Sequence, residues 1–210
     1  MSLTQASRKP KSPFERWRTT LTALVFLPLW AAILLATRAE GFETKAYKVL
    51  EYSGFLLICI AVMGRLWCSF YISGRKDLEL CVVGPYSLSR NPLYFFSFVG
   101  AVGICAAAQN ITLAVLTGSL FLMYYHFIIG KEEARLREMF GIDFERYVGS
   151  VPRFFPRLDF PIADDTISVS VKPFTRSLTE VIWFLIAVVA IEIIEDLRRG
   201  GFLGNWVLRY

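Results

Sequence analysis

From Asn91 to Gly130 the chain runs for 40 residues without an Asp, Glu, Lys or Arg, broken near its middle only by Gln109-Asn110. A membrane-spanning helix needs about 20 predominantly apolar residues. The run therefore reads as two spans folded back on one another, turning at that polar pair. Thr19–Thr37 adds a further 19 uncharged residues, and Tyr52–Gly74 is interrupted by Arg65. With 55% hydrophobic residues over 210 positions, the chain is too apolar for an ordinary soluble domain. Thr19–Thr37 is also too long for the apolar region of a cleaved signal, so it is expected to remain as a span.

One more span is expected near the C-terminus. Ser177 with Glu180 has the spacing of a capping box, and Arg198-Arg199 before Gly200-Gly201 reads as a stop. The helix between them would measure roughly 33 Å at 1.5 Å per residue. The expected fold is all-α, a polytopic membrane helix bundle of about five transmembrane helices. Residues 1–18 form a basic tail, 19–160 the membrane core, 161–176 a linker, and 177–210 the last helix and tail.

Lysine and arginine counts set orientation. The tail before Thr19 carries five, the Gly74–Asn91 loop three and the Lys131–Arg176 segment eight, sixteen in all. The other side carries six if the last helix crosses: Arg38, Lys45, Lys48, Arg198, Arg199 and Arg209. The N-terminus, the Gly74–Asn91 loop and the Lys131–Arg176 segment are therefore expected in the cytoplasm. The formal charge of +5 favours anionic lipid headgroups as partners. No nucleic-acid partner is expected, and the sequence leaves the oligomeric state open.

This topology places Arg90 and Asn91 at the cytoplasmic mouth of the third span, level with Lys131-Glu132-Glu133 at the end of the fourth. Pro92 suits a first helical turn and Asn91 the cap before it. A loop, a cap and a snorkelling arginine would account for that much. They leave unexplained Tyr86 and Tyr94 on either side of Arg90, and the acidic pair that meets it. Beyond Lys131 the spacing of Leu136, Met139 and Phe140 predicts an amphipathic helix at the membrane surface. Arg65 costs at least roughly 2.5 kcal/mol inside a span, which predicts a carboxylate partner or a ligand pocket. His126 lies two turns before Glu133 on the same predicted helix. Cys59, Cys68, Cys81 and Cys105 lack metal-type spacing and read as reduced interior residues. With a single histidine in the chain, no protein-bound metal is expected.

Gly84-Pro85-Tyr86, Arg90-Asn91-Pro92-Leu93-Tyr94, Glu132-Glu133, Phe140-Gly141, Tyr147 and Val151-Pro152-Arg153 follow one another in order. That order resembles the isoprenylcysteine carboxyl methyltransferase and phospholipid methyltransferase superfamily of integral membrane enzymes, over roughly Tyr52 to Arg157. The resemblance implies an S-adenosylmethionine-dependent methyltransferase with its cofactor site facing the cytoplasm. By position the cofactor pocket would draw on Leu78, Glu79, Leu80, Cys81, Tyr86, Asn91, Pro92, Leu93, Tyr94 and Glu132. Arg90, Glu133 and His126 are the implied catalytic residues, and Arg65, Tyr147 and Arg153 the implied contacts to substrate. Asn91 stands where many relatives have histidine, and it cannot titrate near neutral pH. Ile128 occupies the place of a substrate-carboxylate arginine in the isoprenylcysteine enzymes, which argues against prenylcysteine as acceptor.

Chemically, carboxylates such as Glu132 suit the cofactor's amino group, and Arg65, Arg90 or Arg153 its carboxylate. Tyr86 and Tyr94 offer ring faces to the adenine or the sulfonium. The implied acceptor is a membrane lipid or lipidated substrate with a carboxylate, phosphate or amine headgroup. An amine would have to lose a proton, with His126 or Glu133 nearest. Two alternatives remain at this stage. One is a sterol-reductase-like membrane oxidoreductase using NADPH, and the other is a non-catalytic membrane scaffold.

Overall fold

A computed structural model describes residues 45–75, 78–159, 161, 167 and 169–199. The expected first span at Thr19–Thr37, the basic tail and the Gly200-Gly201 stop lie outside these described residues. Among them every regular element is helical: α1 (Lys45–Ile72), α2 (Pro85–Leu88), α3 (Pro92–Ala107), α4 (Ile111–Phe140), α5 (Ile142–Ser150) and α6 (Val171–Arg199). Among the described residues three stretches are long and apolar enough to cross a membrane: Lys45–Ile72, Ile111–Phe140 and Val171–Ile194. Pro92–Ala107 is apolar but shorter. The all-α membrane bundle read from the sequence is the fold observed.

Small residues set the closest helix contact. A Cβ placed on Gly54 of α1 would lie 2.2 Å from the Ala107 backbone nitrogen and 2.7 Å from the Gly103 carbonyl oxygen of α3. Between apolar helices in lipid, this close approach of backbones supplies the van der Waals contact that drives association. α6 closes the third side. A Cβ on Gly100 would meet the Phe184 ring at 2.2 Å, and Ile58, Ile104, Ala107, Ala187 and Ile191 form one buried cluster.

The α3–α4 hairpin turns where the polar pair predicted it. α3 ends at Ala107 and α4 begins at Ile111. Asn110 caps α4, its side chain accepting from the Leu113 N–H at 2.9 Å. Gln109 takes the left-handed conformation, φ 55°, and its amide donates to Glu51 on α1. Along the hairpin, Phe98 packs edge-on to Phe121 at 5.7 Å, and Cys105 Sγ lies 3.2 Å from Thr117 Oγ1.

Two expectations are corrected. The Ser177–Glu180 capping box does not form, because α6 begins earlier, at Val171. Ser177 is then inside the helix, its hydroxyl donating to the Pro173 carbonyl at 3.2 Å. Glu180 instead pairs with Arg65 at 3.0 Å, an ion pair that the local motif gave no hint of. The amphipathic segment after Gly130 is not a separate surface helix either. It continues α4 without a break to Phe140, where Gly141 at φ 51° ends the helix and starts α5. At 1.5 Å per residue α4 is about 45 Å long, longer than the roughly 30 Å hydrocarbon core. α3, about 24 Å by the same measure, is shorter than that core. The start of α3 therefore faces the side of α4 well before α4 ends.

Candidate functional site

The end of the bundle where α3 begins is built by three chain segments. The first is the turn from Gly84 to Asn91. Gly84 has φ 59°, a conformation that disfavours residues with a Cβ, and an added Cβ would meet the Tyr71 ring at 2.3 Å. Its carbonyl accepts from the Ser87 hydroxyl at 2.7 Å, which closes α2. The second segment is the outer part of α4, with His126, Gly130 and Glu133 on one side at helical spacing. The third is the strap that follows α5, Val151 to Arg157.

The strap is laced to the turn by backbone and side-chain bonds alike. Arg90 N donates to the Pro152 carbonyl at 2.9 Å, and Arg157 N to the Leu88 carbonyl at 3.0 Å. The Ser89 hydroxyl donates to the Phe154 carbonyl at 2.9 Å, and the Arg157 guanidinium to the Ser87 carbonyl at 3.1 Å. Asn91 Nδ2 donates to the Arg153 carbonyl at 3.0 Å. Phe154 anchors the apolar side, edge-on to both Phe95 and Phe98 at 5.9 Å. α5 is pinned above this seam through buried Phe144, Tyr147 and Val151, against which Leu80 and Leu136 pack.

Glu133 is the charged centre. Its Oε2 accepts from Arg153 Nε at 3.1 Å, and its Oε1 lies 3.4 Å from Arg90 Nη2. Arg153 also reaches His126: Nη1 lies 3.2 Å from Nδ1. A guanidinium only donates, so Nδ1 accepts and the ring carries its proton on Nε2. The guanidinium passes over Gly130, where an added Cβ would be in ordinary van der Waals contact, 3.5 Å from Arg153 Nη2. Two guanidinium charges share one carboxylate. Arg90 Nε is buried and makes no hydrogen bond, so one N–H donor of that side chain is left unspent beside Glu133. The Tyr147 hydroxyl donates to the Tyr86 carbonyl at 2.6 Å. Burial pushes both phenols up, Tyr86 well above its ordinary value and Tyr147 likewise. They are neutral hydrogen-bonding groups at any physiological pH.

The expected site residues divide accordingly. Arg90, Asn91, His126, Glu133, Tyr86, Tyr147 and Arg153 come together. Glu132 does not reach Arg90; it pairs with Arg135 one turn along α4 at 2.9 Å. Leu78 and Glu79 are exposed, whereas Leu80 packs on the α5 cluster and Cys81 is buried. Pro92 is buried as the first residue of α3. Leu93 gives its carbonyl to the Ser97 hydroxyl at 2.8 Å. Tyr94 faces Tyr125 at 4.9 Å between ring centroids. Arg65 lies apart, bonded to Ser97 and Glu180. Ser89, Phe154 and Arg157 escaped the sequence reading. The density of polar residues before Pro92 and the Pro-Arg pair that occurs twice in Pro152-Arg153-Phe154-Phe155-Pro156-Arg157 were the signals available for them.

Residues 29–143, more than half of the chain, match the family described as phospholipid methyltransferase. The chain belongs to that family. The phospholipid methyltransferase match takes in Arg90 and Glu133, and the strap that completes the cluster lies beyond it. Two relatives align over nearly the whole chain. One is the nickel-cobalt-cadmium resistance protein NccN of Alcaligenes xylosoxydans xylosoxydans, 35% identical over 91% of this chain and 87% of its own length. Another is the cobalt-zinc-cadmium resistance protein CzcN of Cupriavidus metallidurans, 33% identical over 89% of this chain and 83% of its own. No solved structure matches significantly.

Proposed function

We propose that this membrane protein transfers a methyl group from S-adenosylmethionine to a membrane-embedded lipid or lipid-like acceptor, at the Arg90–Glu133–Arg153–His126 cluster, facing the cytoplasm. The observation that carries the reading is the charge arrangement: two guanidinium groups around one carboxylate, with a buried Arg90 Nε lacking a hydrogen-bond partner. A guanidinium with an unspent donor suits a carboxylate, such as that of the cofactor's amino acid head. When bound, adenosylmethionine supplies an already activated methyl group, so the protein's main task is positioning. Arg90 and Arg153 would hold anionic groups at the mouth of α3, and Glu133 would fix both guanidinium groups in place. The strap shields the same mouth from water. His126 Nδ1 faces Arg153, so the ring is engaged in holding that guanidinium. The reading favours acceptors that need no deprotonation, such as an ionised carboxylate or phosphate.

The test is transfer of label from methyl-labelled adenosylmethionine to native membranes by purified protein, alongside Glu133→Gln. Label in an organic-extractable lipid fraction that depends on Glu133 supports the reading. Cofactor binding without transfer to any lipid or protein fraction, or no binding at all, would overturn it.

The relatives' names motivate a second, compatible reading: a contribution to resistance against nickel, cobalt, zinc or cadmium. Modification of a membrane component would be its route. A deletion strain should then become metal-sensitive, and the parent gene but not Glu133→Gln should restore growth.

A further inference from the structure

We propose that Asn91 is a positioning residue for Arg153, acting through the strap backbone, and not a group that touches the cofactor. Asn91 occupies the N-cap of α3, yet its side chain makes no capping bond. Its amide is turned instead to the strap, Nδ2 donating to the Arg153 carbonyl at 3.0 Å, and the residue is only 8% exposed. Its backbone N–H is taken as well, donating to Ser89 Oγ at 3.2 Å. That hydroxyl in turn donates to the Phe154 carbonyl. Two neighbouring carbonyls of the strap, those of Arg153 and Phe154, are thus held by one buried relay, Asn91 and Ser89.

The consequence falls on the Arg153 side chain. From a backbone fixed at its carbonyl, the guanidinium crosses Gly130 and reaches Glu133 and His126 on α4. An arginine carries several rotatable bonds, and a shift of its root moves the far end out of hydrogen-bond range. The relay therefore sets the distance at which the strap arginine meets Glu133. A carboxamide suits this because its N–H donates to a carbonyl, which a carboxylate of the same shape cannot do.

The inference rests on the methyl-transfer reading only for its binding arm, and a second arm is independent of any activity. In the first arm, limited trypsin digestion of the purified full-length protein reports opening of the strap at the Arg153–Phe154 bond, with cleavage after Arg146 as internal reference. Asn91→Asp should raise cleavage after Arg153 by about tenfold, the change expected when a buried hydrogen bond is lost. In the second arm, adenosylmethionine affinity is measured in a double-mutant cycle with Arg153→Ala. Asn91→Asp should weaken binding in the parent and have no further effect once the Arg153 guanidinium is gone. Equal losses in both backgrounds would mean that the amide meets the cofactor directly and would overturn the proposal, as would unchanged cleavage. If the parent binds no adenosylmethionine, the methyl-transfer reading fails while the cleavage arm still decides the role of Asn91. If Asn91→Asp does not yield folded protein, Ser89→Ala replaces it, with increased cleavage after Arg153 again expected and parent-like cleavage overturning the proposal.

Discussion

Glu133 Oε2 accepts a hydrogen bond from Arg153 Nε at 3.1 Å, joining the outer part of α4 to a strap 20 residues further along the chain. The Glu133 side chain is 14% exposed. Removing one member of a fully buried pair costs roughly 3–5 kcal/mol, because a charge is left without its partner. Partial exposure lowers that, and Arg90 loses its partner too, so Glu133→Gln should destabilise the protein by on the order of 2 kcal/mol. Glu132→Gln, which loses only a half-exposed pair with Arg135 on the same helix, should cost about 0.5 kcal/mol or less. Thermal unfolding in detergent of the two variants side by side checks this, and equal shifts would contradict it.

Tyr147→Phe keeps the ring in the α5 cluster and removes the 2.6 Å hydrogen bond to the Tyr86 carbonyl. The expected cost is about 1 kcal/mol at neutral pH. Burial raises the folded-state value of this phenol, so folding favours the protonated form. That contribution is present in full below the unfolded tyrosine value of about 10, and it drains away as pH rises from there toward the folded value. Alkaline unfolding above about pH 10 should therefore be less steep in Tyr147→Phe than in the parent.

Arg65 sits within α1 with its side chain 12% exposed, paired to a half-exposed Glu180. Arg65→Leu or Glu180→Leu alone should lower the unfolding temperature, since each leaves a charge in an apolar setting. The double variant should recover part of that loss, because apolar replacement of a buried pair is often neutral or stabilising. If Arg65 also binds acceptor, the recovered double variant will still fail to transfer methyl groups. Parent-like transfer would confine Arg65 to holding α6 against α1 and α3.

The described helices and the hairpin turn were legible because charge is so costly in lipid that its absence marks an apolar helix. Asn91–Gly130 yielded its hairpin from that alone, though α3 is shorter than the span expected of it, and Asn110 at the turn does what a cap residue does. The site was half legible. Arg90 and Glu133 could be set at one depth from the hairpin alone, since a short turn forces the two helices to be antiparallel neighbours. Which of two adjacent glutamates faces Arg90 depends on the rotation of α4 about its axis, and packing of Gly118 and Phe121 against α3 decides that. Ser89, Phe154 and Arg157 were illegible for a different reason. Their partners are backbone carbonyls, which every residue carries, so no pattern of side chains announces them. Glu180 was misread because a capping box is a local pattern, whereas its partner Arg65 lies 115 residues away.

Orientation is open to a direct check. Arg75, in the turn after α1, and Asn110, at the α3–α4 turn, lie toward opposite ends of the bundle by helix connectivity. In cells, single cysteines replacing them in a background without the native cysteines should label from opposite sides with a membrane-impermeant thiol reagent. The lysine and arginine asymmetry predicts that Arg75 lies in the cytoplasm. Labelling of Arg75→Cys from outside would reverse the orientation and move the site to the other face.

The last prediction separates the charge of Arg90 from its shape. Arg90→Lys keeps a cation within reach of Glu133 and leaves the backbone bond to the Pro152 carbonyl intact. What it removes is the planar donor edge that includes the buried, unbonded Nε. An ammonium is a point charge and cannot reproduce a two-donor edge against a carboxylate. If that edge serves a ligand, Arg90→Lys should unfold within a few degrees of the parent and yet bind adenosylmethionine about ten- to a hundredfold more weakly, as for loss of a hydrogen bond to a charged group. Arg90→Ala should lose both binding and stability, because Glu133 then keeps Arg153 alone. Calorimetric titration and thermal unfolding on the same preparations read the two effects separately. Parent-like affinity in Arg90→Lys would leave Arg90 a role only as a partner of Glu133, and the cofactor's carboxylate would have to be held by another residue.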